Sequence, residues 1–246
     1  MNRDLAGREH WDTRELDVRR RLPSRLVVES DDLIRLLAPH IRPGSAVLEV
    51  GCAPGKFLLW CARAAGANVS GVEYAPKSAE ATRRLFGDMH VPIDLRVEDF
   101  LQTTFPVKSF DLVYSFGVIE HFEDPRPMVR KHVELLKPGG KAIITIPNYR
   151  SPYGKLQAKL DYGNLILHNL HIMELETLRA LAPTEIPAET RSYKWGRLTA
   201  SLLSLDKRLP GFLARTLSLL INFLGIVQPV TISKIAPWLV LEITRR

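Results

Sequence analysis

In the first hundred residues, carboxylates close three successive strand-like runs. Glu49 ends "AVLE", Glu73 ends "NVSGVE", and Glu98-Asp99 end "IDLRVED". Just after the first stands Gly51-Cys52-Ala53-Pro54-Gly55, a loop whose glycines let backbone approach a ligand closely. A helix that follows such a loop offers free N–H groups. Glu49 beside the loop repels a phosphate and suits a ligand that carries an ammonium or sulfonium group. A carboxylate at the end of a second strand accepts from both hydroxyls of a ribose, which is the role assigned to Glu73. Asp99 is placed to accept from an adenine amino group while Phe100 packs on the ring. These groups describe an adenosine with a cationic, amino-acid-like extension. They do not describe a pyrophosphate. Lys56 is followed by Phe57, which breaks the phosphate-loop pattern, and Ala53 stands where a dinucleotide fingerprint needs its middle glycine.

Further chemistry follows in "SFGVIEHFEDP". Ser115 and Phe116 would border the ligand, with Glu120 and His121 beyond. Histidine titrates near neutral pH, so His121 is the candidate general base for a hydroxyl or an amine; the alternative is that it orders the loop. Asn148, Tyr149 and His168 are candidate acceptor-pocket residues, as is Trp11 far upstream. His168 and His171, three apart, invite a metal site with Glu174, but no further ligand is close in sequence and no metal is expected. Cys52 has no resolving partner or paired base in the pattern, so no redox role is expected; Cys61 is assigned to the core.

Elements must hold these residues. "SDDLIRLLAPHI" reads as a helix from its capping serine and its apolar spacing. "AVLEV", "NVSGVEY", "IDLRVEDF", "FDLVYSF" and "KAIITIPN" read as strands. "KFLLWCARAAG", "PKSAEATRRLFG" and "PRPMVRKHVELLKPGG" read as the helices between them, the last ended by Pro138-Gly139-Gly140. Strand and helix alternate five times, which predicts a doubly wound parallel sheet. "AETRSYKW" and "PWLVLEITR" read as two late strands around a helical insertion, an antiparallel addition to that sheet.

"VLEVGCAPG", "GVEY", "VEDF", "FDLVYSFGVIEHFEDP" and "LLKPGGKAIITIPN" together resemble the successive motifs of class I S-adenosylmethionine-dependent methyltransferases, over residues 30–150. The resemblance implies a Rossmann-like α/β fold: a seven-stranded sheet with an antiparallel last strand and helices on both faces. It implies S-adenosyl-L-methionine as cofactor and S-adenosyl-L-homocysteine as product. It assigns the cofactor to Glu49, Gly51, Cys52, Ala53, Gly55, Glu73, Tyr74, Asp99, Phe100, Ser115 and Phe116, and it favours Asp99 over Glu98. Ala53 departs from the family's middle glycine and leaves the loop's path open. The expected organisation is an N-terminal helical arm at 1–29 and a methyltransferase domain at 30–246, with 197–236 as a helical lid insertion. The expected reaction is SN2 transfer of a methyl group to a small-molecule oxygen, nitrogen or carbon acceptor of apolar character.

The totals are compatible with this. The chain has 246 residues and a net charge of +7. All of that excess lies in residues 191–246, where nine Lys/Arg face two acids. With the uncharged stretch Thr216–Ser233, it makes 207–233 a candidate for peripheral membrane contact. Asn222, Gly225, Gln228 and Pro229 argue against a spanning helix. Two cysteines and the lack of an apolar leader lead one to expect a reducing cytoplasm. No nucleic-acid partner is expected. The competing readings are a non-catalytic or membrane-associated binding protein on the same fold, and a nicotinamide-dependent reductase, which the missing glycine and Glu49 oppose.

Overall fold

The computed structural model describes residues 4–13, 22–24 and 27–246. The helices and strands, in chain order, are α1 (Arg8–Thr13), α2 (Val28–Leu37), β1 (Ala46–Val50), α3 (Lys56–Ala65), β2 (Asn68–Val72), α4 (Pro76–Asp88), β3 (Asp94–Arg96), β4 (Phe110–Phe116), α5 (Arg126–Leu135), β5 (Leu136–Pro147), α6 (Pro152–Leu160), α7 (Tyr162–Leu165), α8 (Leu175–Arg179), β6 (Ala188–Trp195), α9 (Gly211–Val227) and β7 (Trp238–Arg245). One sheet runs β3-β2-β1-β4-β5-β7-β6. The first five strands are parallel, and β7 is antiparallel to both β5 and β6. This is the seven-stranded Rossmann-like sheet expected of the sequence.

Strand parity decides which face each side chain joins. Leu48, Val50, Val113 and Ile144 lie in the core that α5 covers. Val47, Leu112, Tyr114 and Ile143 lie in the core that α2 and α3 cover. Both layers are apolar because a parallel sheet is covered on both sides.

Two boundaries differ from expectation. Helix α2 already starts at Val28, so Ser30, expected to cap it, lies buried inside the helix. Helix α5 stops at Leu135, before Pro138, and Leu136 already pairs with Phe110 at the head of β5. A register shift between Phe110 and Leu112 then absorbs Lys137–Gly140 as an irregular strand start. Helices α6 and α7 lie beyond what the sequence pattern predicts. Ser151 caps α6 by accepting from the Tyr153 N–H, and Asp161 caps α7 by accepting from the Asn164 N–H.

Of the N-terminal arm, α1 is described and rests on the start of α4. The Ser78 hydroxyl donates to the Trp11 carbonyl at 2.9 Å, and the Lys77 N–H donates to Asp12 at 3.1 Å. The rest of the helical arm expected at 1–29 falls partly on positions 1–3, 14–21 and 25–26, outside the described residues. Arg197, just after β6, ties the late segment to α2. Its guanidinium donates to Asp31 and Asp32 at 2.7 Å each, and both carboxylates are buried.

Candidate cofactor and acceptor site

The loops that leave the carboxyl ends of β1, β2, β3 and β4 surround a cavity of about 250 Å³. In an open α/β sheet this is where ligands bind. Among the described residues, its wall contains four carboxylates, Asp4, Glu73, Glu98 and Asp99, and no lysine or arginine. Such a wall holds a negative field that attracts a cation and opposes a phosphate.

Gly51, Ala53, Glu73, Tyr74, Asp99, Phe100 and Phe116, all expected from the sequence, line this cavity. Gly51 has φ +67°, and a Cβ there would sit 2.9 Å from Val118 Cγ2, so the loop needs glycine. The Ala53-Pro54 peptide is cis. Glu73 accepts from the Ala75 N–H at 3.0 Å and the Ala53 N–H at 3.4 Å. It thereby fixes both the glycine loop and the start of α4. Burial raises the Glu73 pKa, and those backbone donors oppose the rise. Asp99 accepts from the Leu101 N–H at 2.9 Å. Glu98 also lines the wall, but Thr103 Oγ1 at 2.6 Å and the Thr104 N–H at 2.9 Å occupy one of its oxygens.

Four other expected cofactor residues turn away from the cavity wall. The Cys52 thiol is buried, and a Cβ on Gly71 would lie 2.7 Å from its sulfur; burial raises its pKa well above the usual thiol value. Gly55, at φ +88°, makes room for α4, because a Cβ there would meet Thr82 at 2.8 Å. Ser115 shares the strand face of Val113, so its hydroxyl meets His132 Nε2 at 3.1 Å under α5. A carbonyl can only accept, so His132 Nδ1 donates to the Met128 carbonyl and Nε2 accepts from Ser115. Burial lowers the His132 pKa to about 4. Glu49 shares the face of Val47 and Tyr114 and accepts from the Tyr114 hydroxyl at 2.9 Å. Burial raises its pKa to about 8 against that hydrogen bond.

On the acceptor side, Trp11 and His121 are in the wall. Their rings meet edge to face at 4.8 Å. Glu120, Tyr149 and His168 lie behind them. The His168 ring is 4.6 Å from that of His121, and Tyr149 is 5.0 Å from His168. Asn148 is directed elsewhere: its side chain donates to the Ala236 carbonyl and joins the ends of β5 and β7. His121 Nδ1 faces the Leu167 carbonyl at 2.9 Å, and His168 Nδ1 faces the Asn164 carbonyl at 2.9 Å. Both Nδ1 atoms therefore donate, and Nε2 is the proton-accepting nitrogen of each neutral ring.

Glu120 is fully buried, its Oε2 meets no hydrogen-bond donor among the described residues, and burial raises its pKa to about 8. The ligand-capable atoms of Glu120, His121 and His168 all lie within 4.8 Å of one another, a spacing at which the three could hold a metal ion. The metal trio suggested by sequence spacing does not assemble, because Glu174 pairs with Arg150 at 2.7 Å and His171 is exposed.

Sequence reasoning missed Asp4, Val118, Phe122 and Met128 in the wall. The Tyr74 hydroxyl donates to Asp4 at 2.9 Å, and Asp4 bridges to Phe122, so the N-terminal segment closes one side of the cavity. No local pattern marks Asp4. None of residues 197–236 lines this cavity, whereas Asp4 and Trp11 of the N-terminal segment do.

A sheet in this order, with carboxylates at successive parallel strand ends, defines a nucleoside-binding Rossmann-like domain of the methyltransferase type. Residues 48–144 match the family model described as a methyltransferase domain. Phosphoethanolamine N-methyltransferase 1 of Arabidopsis thaliana is 29% identical over 157 residues, 62% of this chain and 31% of that protein. Ubiquinone biosynthesis O-methyltransferase of Xanthomonas campestris pv. campestris is 36% identical over 112 residues, 45% of this chain and 46% of that protein. The crystal structure of a putative sarcosine dimethylglycine methyltransferase from Galdieria sulphuraria superposes with a TM-score of 0.61 at 17% identity, covering 87% of this chain and 86% of that one. Residues 48–144 carry a class I S-adenosylmethionine-dependent methyltransferase domain, and small-molecule methyltransferases are among the chain's relatives. The matches span about a third to a half of the length of these curated relatives. The wall fits the family's cofactor: carboxylates for a sulfonium and a ribose, a close-approach glycine, and the apolar pair Phe100 and Met128 for a ring.

Proposed function

We propose that this chain transfers a methyl group from S-adenosylmethionine to an oxygen or nitrogen of a small, uncharged, largely apolar acceptor. The observation that carries the reading is a cavity wall with four carboxylates and, among the described residues, no lysine or arginine. That wall favours a sulfonium donor over a nucleotide phosphate, and an uncharged acceptor over a phosphorylated one.

The cofactor, when bound, supplies an activated methyl group, so the protein's work is alignment and proton handling. Glu73 would hold the ribose hydroxyls. Asp99 would accept from the adenine amino group, and Phe100 with Met128 would enclose the ring. Trp11, Phe116, Val118 and Phe122 would form an apolar acceptor wall that excludes water. His121, with Nδ1 committed to Leu167, would take the acceptor's proton on Nε2. His168 and Tyr149 would hold that imidazole in place by ring contact.

Titration calorimetry with S-adenosylhomocysteine and, separately, NAD tests the cofactor. Binding of NAD alone would overturn the reading. Labelled-methyl transfer into a host metabolite extract tests turnover; label recovered only in phosphorylated products would refute the acceptor class.

A further inference from the structure

Helix α9 is built the wrong way round for a surface helix of a water-soluble domain. Ala214, Ser218, Asn222 and Gly225 recur at helical spacing and turn inward. They are small or polar, and Ile221 beside them is partly buried against the cluster of Ala200, Leu205 and Ala214. A Cβ added to Gly225 would collide with the Leu198 carbonyl, which shows how closely the helix is seated. Asn222 Oδ1 accepts from the Ala200 N–H at 3.0 Å and the Thr199 hydroxyl at 3.2 Å. Gln228, just beyond the helix, accepts from the Leu198 N–H at 3.1 Å and donates to the Val230 carbonyl. Polar atoms and close backbone contact therefore fasten the helix, and its outer face is apolar. Phe212 is 70% exposed and Phe223 58%, with Leu219, Leu220 and Val227 beside them. Single exposed apolar residues are ordinary, but a stripe of this kind, interrupted on α9 by Arg215 and Thr216, marks an interaction surface.

Charge indicates the occupant. Lys207, Arg208, Arg215 and Lys234 flank or interrupt the stripe, and no acid occurs between Asp206 and Glu242. A protein groove would need matched acids on its own surface; an anionic bilayer supplies both the apolar phase and the negative charge. No helix among the described residues is long and apolar enough to cross a membrane, so α9 would lie in the interface plane. Its neighbours extend the face. Leu160 and Leu209 pack with Ala200, Leu205 and Ala214 beneath α9, which joins it to α6. Leu156, Tyr162 and Ile166 on and after α6 are exposed. That same stretch leads to Leu167 and His168, which contact His121.

We infer that α9 is a membrane-docking helix that seats this domain on an anionic lipid surface through its outward apolar face. The inference does not rest on methyl transfer, and its test needs no activity. Cosedimentation with vesicles of phosphatidylcholine and phosphatidylglycerol in equal parts, beside vesicles of phosphatidylcholine alone, measures it. The expected result is at least tenfold stronger partition to the anionic vesicles, reduced in about 0.5 M salt. The Leu220→Glu, Phe223→Glu double variant should lose at least tenfold of that binding while its melting temperature and its affinity for S-adenosylhomocysteine stay at the wild-type values. Seating by the inward face predicts the second half of that result, because both positions point away from the protein. Equal and negligible sedimentation with both vesicle types would overturn the inference. So would a concentration-dependent dimer, seen by light scattering and abolished by the same substitutions, in a protein that ignores vesicles.

Discussion

Glu120→Gln isolates the cost of one buried carboxyl. Glu120 is fully buried, one oxygen lacks a donor among the described residues, and burial lifts its pKa from 4.5 to about 8. Between these values the unfolded chain has released its proton and the folded chain still holds it. Native stability therefore falls as pH rises through this window, and the penalty is absent below 4.5. Each pH step of one across the window costs about 1.4 kcal/mol, and the slope flattens at both ends, so the loss between about pH 5 and pH 8 is about 3 kcal/mol. Glutamine keeps the shape and never ionises, so the variant escapes that loss. Glu49, raised to about 8 by burial in the same way, remains in both proteins and cancels in the comparison. Urea melts of both proteins at about pH 5 and pH 8 should show the variant close to wild type in acid and about 3 kcal/mol more stable at the higher pH. For a chain of this size that is about 6–12 °C in melting temperature. Parallel stability curves for the two proteins would refute the reasoning, since they would mean that Glu120 ionises as readily folded as unfolded.

If Glu73 holds the ribose as proposed, Glu73→Gln should weaken S-adenosylhomocysteine binding about a hundredfold by calorimetry, because one acceptor and the charge on the other would be lost. Gly51→Ala places a side chain at φ +67° and against Val118; thermal melts should fall by about 3–6 °C, for a strain of about 1–2 kcal/mol. Once an acceptor is known, His121→Asn should lower kcat about 10²-fold or more with cofactor affinity unchanged, and should remove the acid limb of the rate profile. Arg197→Ala leaves Asp32 buried without its cation, while Asp31 keeps Arg35 at 2.7 Å, and should cost about 3–5 kcal/mol in urea melts.

The sheet was legible because its strands announce themselves locally. "AVLEV" and "KAIITIP" are apolar on both faces, and each is punctuated by glycine or proline. Of the late pair, β7 was legible for the same reason, and it pairs antiparallel with β5 and β6, whereas β6 is largely polar and sits at the sheet's edge. The misread boundary at Leu136 has a different origin. Pro138-Gly139-Gly140 marks a break, but pairing of Leu136 with Phe110 captures the chain before the break is reached. Tertiary pairing outweighed the local signal there.

In the site, nearness in sequence to a strand end does not guarantee nearness to the ligand, because parity sends some residues the other way. Ser115 and Phe116 are neighbours, yet Phe116 reaches the cavity and Ser115 turns under α5 to His132. The alternation of Val113, Tyr114 and Phe116 carried that information in one dimension. Asp4 carried none, since only the packing of α1 on α4 brings it to Tyr74. Helix α9 lies between these cases. Its uncharged run was plain in the sequence, but the direction of its apolar face rests on four residues, Ala214, Ser218, Asn222 and Gly225. Small and polar residues at that spacing let a helix approach backbone closely and hydrogen-bond to it, as Gly225 and Asn222 do here. Once that face is fixed inward, the leucines and phenylalanines have nowhere to point but out. A stripe of small and polar positions along an otherwise apolar helix is thus the sequence signature of a helix that buries its polar side against its own domain, and an apolar phase outside the domain is what such a helix is shaped to meet.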